Sequence, residues 1–263
     1  MSRIFTVSNQ KGGVGKTTTT INLATGLAAV DKRVLIIDFD PQANSSTGLG
    51  LSKQRRLLNS YGLLIGDYTM SQVIAKTAIP SLSIIPSAID LLGAEIELVG
   101  MERREYILKD IIAPYVNMFD YILIDCPPSM GLLTLNAMVA ATDVIIPLQC
   151  EYYALEGLSY LLGSIQKIKK TLNPNLSLFG IVLTMFDRRS SLCEMVAQDV
   201  RSYLKDKVFE TVIPRNTKVS EAPSHGKPAM IYDFKCTGSQ AYMSLAREVL
   251  IRDIQQQQKE RIA

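Results

Sequence analysis

The sequence predicts an α/β fold: a mostly parallel, twisted sheet of about seven or eight strands with helices on both faces. Three observations carry this. Short apolar runs rich in β-branched residues alternate with longer amphipathic stretches, the rhythm of βαβ units. Most of the short runs are too uniformly apolar to face solvent on either side, which requires a helical layer above and below the sheet. The 263 residues, 47% of them hydrophobic, suffice to bury one sizeable core, so one domain spanning 1–263 is expected.

Taken in order, the first strand is expected over 4–8 and runs through a glycine-rich turn into a helix over 16–29. The second strand, 34–38, is a wholly apolar run that ends in a carboxylate. A third run over 82–86 is also strand-like, but the surrounding segment 53–98 is irregular and carries no motif. A helix over 101–112 leads to strand 121–125, and a helix over 131–141 to strand 144–148. The next helix, 155–171, is stopped by Asn173 and Pro174. Strand 179–185, helix 192–204, a strand at about 208–213 and a final helix over 238–258 complete the pattern. The only low-complexity stretch is the short run Gln255 to Gln258.

Composition excludes several classes. A formal charge of +3, from 28 basic and 25 acidic residues, is too small to make the whole surface a nucleic-acid footprint, so any DNA contact must come from a local patch. Cys126, Cys150, Cys193 and Cys236 are widely spaced with no C-x-x-C pair, which argues against a zinc knuckle or a disulfide framework and suits a reducing cytosol. The N-terminus shows no signal region, and no apolar run approaches the roughly 20 residues that span a bilayer. A soluble, cytoplasmic protein is expected.

The chemistry begins at Asn9-Gln10-Lys11-Gly12-Gly13-Val14-Gly15-Lys16-Thr17-Thr18, where the first strand turns into the first helix. Glycines at 12, 13 and 15 let backbone N–H groups turn around phosphate oxygens at the positive end of that helix. Lys16 can reach the β- and γ-phosphates, and Thr17 offers a hydroxyl to Mg²⁺. Further on, Asp38-Phe39-Asp40-Pro41-Gln42 delivers two carboxylates to the carboxyl end of the sheet, where they can hold magnesium waters or orient an attacking water. Tyr121-Ile122-Leu123-Ile124-Asp125 is a second apolar strand ending in a carboxylate, read as Walker B with Asp125 on the magnesium shell, and Cys126-Pro127-Pro128 then forces a turn.

An ordinary P-loop has a glycine where this chain has Gln10, and here a second lysine, Lys11, opens the loop. The pattern Lys-Gly-Gly-x-Gly-Lys-Thr-Thr resembles the deviant Walker A loop of the ParA and MinD superfamily of P-loop NTPases. The resemblance extends through Asp-x-Asp-Pro-Gln, through Thr184 to Arg189, and through Ile213 to Asn216 and Val219 to Gly226, and is strongest to the short ParA-type partition ATPases. It implies ATP and ADP with Mg²⁺ as cofactors, with Lys11, Gly12, Gly13, Val14, Gly15, Lys16, Thr17 and Thr18 holding the phosphates. It further implies that Met185, Pro214 and Asn216 hold the adenine. Thr17, Asp40 and Asp125 would serve the metal. Lys11, Lys16 and Asp40 would be catalytic, with Asp40 positioning the water, Asp38 supporting the loop and Lys16, and Lys11 reaching across a two-fold interface to a partner's ATP.

The same resemblance implies an ATP-dependent homodimer that binds double-stranded DNA nonspecifically through Arg189 and Lys218, near which Arg188 and Arg215 add to a basic strip. A ParB-like, centromere-bound partner would then accelerate a slow hydrolysis that releases the DNA, so the protein would be cytoplasmic and nucleoid-associated. No helix-turn-helix pattern precedes the first strand, so sequence-specific operator binding is not expected. The alternative is a MinD-like, membrane-associated positioning ATPase. The polar tail, with only Ile254 and Ile262 to insert after Arg252, disfavours it, and no membrane contact is expected. An iron–sulfur reductase lacks the glycine-flanked cysteine pair such a cluster needs. His225, in a Pro- and Gly-rich loop, reads as structural.

Overall fold

Eight short segments pair into one sheet: β1 (Arg3–Val7), β2 (Val34–Asp38), β3 (Ala75–Lys76), β4 (Leu82–Ile85), β5 (Tyr121–Asp125), β6 (Asp143–Gln149), β7 (Ser177–Phe186) and β8 (Val208–Pro214). This is a computed structural model that describes residues 2–262. The spatial order is β3-β4-β2-β5-β1-β6-β7-β8, and every pairing is parallel except that of the edge strand β3 with β4. Register sets the carboxyl ends of the central strands level, with Val7 beside Asp125 and Asp125 beside Asp38.

Side chains along each central strand alternate between two cores, as the period of a strand requires. Leu35, Ile37, Ile122 and Ile124 point to one face, while Val34, Ile36, Tyr121 and Leu123 point to the other. Both sets are buried, which is the physical reason the strands read as continuous apolar runs.

The helices are α1 (Lys16–Ala28), α2 (Asn44–Gly48), α3 (Ser60–Ile65), α4 (Met70–Val73), α5 (Leu91–Glu97), α6 (Ile107–Ile112), α7 (Leu132–Ala140), α8 (Ala154–Thr171), α9 (Ser191–Leu204), α10 (Thr217–Glu221), α11 (Ala229–Tyr232) and α12 (Thr237–Ile262). Residues of α5 to α9 fill the first core, and those of α1 and α12 fill the second. Helices α1 and α12 approach so closely at Gly26 that a Cβ there would lie 2.6 Å from the Ala246 Cβ. At the far end of the sheet Arg3 bonds Asp143 at 3.0 Å and Asp253 at 2.7 Å, and the Tyr121 hydroxyl donates to Asp253 at 2.6 Å, anchoring α12. Among the described residues no helix is long and apolar enough to cross a membrane.

One expectation from sequence is corrected, and one unreadable stretch is explained. The helix expected over 101–112 begins only at Ile107, because Arg103 is left-handed at φ 53° and the buried Asn136 side chain bonds the Arg104 carbonyl and the Leu108 N–H. The unreadable stretch 53–98 holds elements from two residues (β3) to seven (α5), too short to display a helical or strand period. Local capping holds them instead: Asn59 accepts from the Tyr61 and Gly62 N–H groups at the start of α3, and Thr69 with Gln72 forms a capping box on α4.

Candidate functional site

The loop between β1 and α1 turns on two left-handed glycines, Gly13 at φ 75° and Gly15 at φ 87°, a conformation that strains any residue bearing a Cβ. Around them the loop is fixed from outside. The Asn9 carboxamide accepts from the Lys11 N–H at 3.0 Å and donates to the Pro147 carbonyl at 2.7 Å, and Thr184 donates to the Val14 carbonyl at 2.8 Å. Val14 itself is buried, so its side chain is not offered to the cleft.

Lys16 is only 7% exposed, and burial lowers its pKa against the opposing pull of Asp125 and Asp40. Its ammonium donates to the Lys11 carbonyl at 3.1 Å, curling the side chain back over the loop. Lys11 leaves the loop and ion-pairs with Glu151, beyond β6, with both side chains close to half exposed.

Three carboxylates meet the loop from the neighbouring strands. Asp125 is fully buried and accepts from the hydroxyls of Ser45 at 2.8 Å and Thr20 at 3.4 Å; burial nevertheless pushes its pKa up to about 6. Asp38, beside it, accepts from the Ser46 N–H at 2.8 Å and the Ser46 hydroxyl at 2.6 Å, and burial together with the Asp125 charge raises it to about 8. Asp40 is 7% exposed, accepts from the Gln42 N–H at 2.9 Å, and faces the opening. The donors presented by Thr17, Asp40 and Asp125 are all oxygen, and among the described residues no cluster of three or more His, Cys, Asp or Glu could cage an ion unaided. That set fits Mg²⁺, which keeps waters and takes phosphate oxygens alongside one or two carboxylates.

One cleft of about 420 Å³ gathers much of the sequence-predicted set, with Gly12, Gly13, Gly15, Lys16, Thr17, Thr18 and Asp40 on its lining, whereas Lys11, Val14 and Asp125 do not line it. Met185, Pro214 and Asn216 line it as well, although they come from the end of β7, the end of β8 and the turn after it, far along the chain. Asn216 also caps α10 by accepting from the Lys218 and Val219 N–H groups. Of the four basic residues singled out, Arg215 lines this cleft, whereas Arg188 and Arg189 are exposed beyond it. Arg189 pairs with Asp187 and Lys218 with Glu221. Sequence reasoning missed Asn9, Glu151, Ser45, Ser46 and the clasp by Thr184; only Asn9 and Thr184 stood inside a motif, and nothing distinguished the two serines from ordinary loop residues.

A glycine-rich loop after the central strand of a parallel sheet, with carboxylates at the ends of two neighbouring strands, defines a P-loop nucleotide-binding protein. A family model described as an AAA domain matches residues 2–178. The chromosome partitioning protein ParA of Caulobacter vibrioides is 53% identical, covering 98% of this chain and 97% of its own. The sporulation initiation inhibitor protein Soj of Bacillus subtilis is 49% identical over 95% of this chain and 98% of its own. A crystal structure of cobyrinic acid a,c-diamide synthase from Mycobacterium smegmatis with bound ADP and magnesium superposes with a TM-score of 0.83 at 36% identity, covering 95% of this chain and 94% of that one. The chain belongs to the ParA/Soj family of partitioning P-loop ATPases.

Proposed function

We propose that the protein is an ATP-dependent DNA-partitioning switch, in which a MgATP-driven sandwich dimer binds DNA nonspecifically and hydrolysis releases it. The observation that carries this reading is the sharing of loops between cleft and basic surface. Met185 lines the cleft and Arg188 and Arg189 follow it at once; Asn216 lines the cleft and caps the helix bearing Lys218. A nucleotide held by these loops would therefore act directly on the basic residues.

Within the cleft, Lys16 and the loop N–H groups hold the phosphates, Met185, Pro214 and Asn216 hold the base, and Asp40 orients the attacking water. Magnesium, held through Thr17, Asp125 and Asp40, supplies neutralisation of phosphate charge. Lys11 bridges to the second copy's nucleotide, and its exposed pairing with Glu151 is weak enough to exchange for a phosphate. Arg215 is a further cation on the cleft lining, beside Pro214 and Asn216; intrinsic turnover is slow, and a ParB-like protein accelerates it.

The test is binding of random-sequence duplex to the purified protein with no nucleotide, ADP, ATP, and ATP with Arg189→Glu, at two salt concentrations, with liposomes as the parallel surface. Salt-sensitive DNA binding that needs ATP and is lost on charge reversal supports the reading. ATP-dependent liposome binding without DNA affinity overturns it in favour of a membrane-associated positioning ATPase.

A further inference from the structure

The two cations placed best for DNA are already engaged. The Arg189 guanidinium makes a two-pronged contact with Asp187, Nε to Oδ1 at 3.0 Å and an Nη to Oδ2 at 2.9 Å, and the Arg189 N–H donates to the same carboxylate. The Lys218 ammonium lies 2.9 Å from Glu221 Oε2, and the Tyr232 hydroxyl donates to that oxygen at 3.2 Å, steadying it from the other side. The Tyr232 ring lies beneath the ammonium, 5.8 Å from centroid to nitrogen. Both pairs stand in solvent, with the Arg189 side chain 90% exposed.

We propose that Asp187 and Glu221 are built-in competitors of DNA phosphate: each masks the cation beside it and so holds down the affinity of the nucleotide-free protein for DNA. This deepens, and rests on, the DNA-binding reading given above. The geometry suits a mask better than a scaffold. Asp187 occupies the very fork that a phosphate would take, because carboxylate and phosphate offer the guanidinium the same pair of oxygens. Arg189 in turn keeps the Asp187 carboxyl down at about 2, so it stays charged throughout the physiological range. Solvent-exposed pairs are weak, so the mask yields to a dense row of phosphates while removing the gain from isolated contacts.

Position supplies the link to nucleotide. Asp187 lies two residues beyond Met185, which lines the cleft in a left-handed conformation at φ 49°, and Lys218 lies two beyond Asn216, which lines the cleft and caps α10. A nucleotide seated against Met185 and Asn216 would bear on the two segments that carry these pairs, which is why the masks are tested with and without ATP.

The experiment measures affinity for random-sequence duplex, with and without ATP, in wild type, Asp187→Asn, Glu221→Gln, and Asp187→Asn combined with Arg189→Gln. Asparagine keeps an oxygen for the Arg189 N–H, and the separate Glu221 variant guards against local disorder in the first loop. Each single variant is expected to bind about threefold to tenfold more tightly without nucleotide, with a smaller gain in ATP and at high salt. In the Arg189→Gln background the Asp187 gain should vanish. Unchanged or weakened binding by both single variants, or a gain that persists without Arg189 and so reports only net charge, would overturn the mask. Wild type that fails to bind DNA even with ATP would instead remove the DNA-binding reading beneath it.

Discussion

Asp38 and Asp125 stand side by side in register at the ends of β2 and β5, and two consecutive residues of α2, Ser46 and Ser45, donate one hydroxyl to each. A five-residue helix thereby holds two neighbouring carboxyl groups together in the interior. Its hydroxyls compensate the carboxylates only in part, since both remain above the ordinary value of 3.8.

That pair predicts how stability depends on pH. Folding raises Asp125 to about 6 and Asp38 to about 8, so the folded chain holds these protons more tightly than the unfolded one. The stability they contribute is complete below the unfolded value near 4 and is lost as pH rises through 6 and then 8. The Tm of the nucleotide-free protein should fall across this window, and Asp38→Asn should flatten the fall. MgATP, binding only the folded form, should restore Tm at the alkaline end. An identical pH slope in Asp38→Asn would show that the pair does not control it.

Lys16→Ala and Asp40→Ala should separate binding from hydrolysis. Removing the buried ammonium should abolish MgATP binding in a titration with a fluorescent analogue. Asp40→Ala should keep nucleotide, lose turnover by about a hundredfold or more, and accumulate as ATP-bound dimer on DNA. Normal turnover in Asp40→Ala would remove it from the water-positioning role.

Gly12→Val tests the second copy. No atom lies within 4 Å of a Cβ built at Gly12, so valine has room in the single chain. Nucleotide affinity should be nearly unchanged while light scattering with ATP reports a monomer. A valine variant that still dimerised would place Gly12 outside the interface.

Gly26→Val tests the opposite face. Its Cβ would fall 2.6 Å from the Ala246 Cβ, where neither helix has a flexible tip to move aside. Urea denaturation should show a loss of about 1–3 kcal/mol. Unchanged stability would mean that α1 and α12 slide apart freely.

What could be read in advance follows from length and period. β2, β5 and β6 lie between two apolar layers and announce themselves as largely apolar runs, and Gly13 and Gly15 of the P-loop take left-handed backbone angles that strain a residue bearing a Cβ. The cleft's far wall was legible only through family resemblance, because Met185 and Asn216 are ordinary residues whose place depends on chain folding back from beyond 180. β3, with two residues, and α2, built on Asn44-Ser45-Ser46, carry no periodic signal at all. Asn136, which sets the start of α6, sits on a different helix and could not be paired with it from spacing.

The pairing of α1 with α12 also orders events during synthesis. The helix that carries Lys16 has its outer face covered by α12, more than 200 residues further along the chain, with Tyr242 set against Thr19 and Ala246 against Gly26. A growing chain can display the whole phosphate loop while the wall behind it is still missing, and stalled or truncated products that end before α12 would lack a firm seat for the nucleotide. A chain cut before Thr237 should therefore lose ATP binding together with the packing behind Lys16.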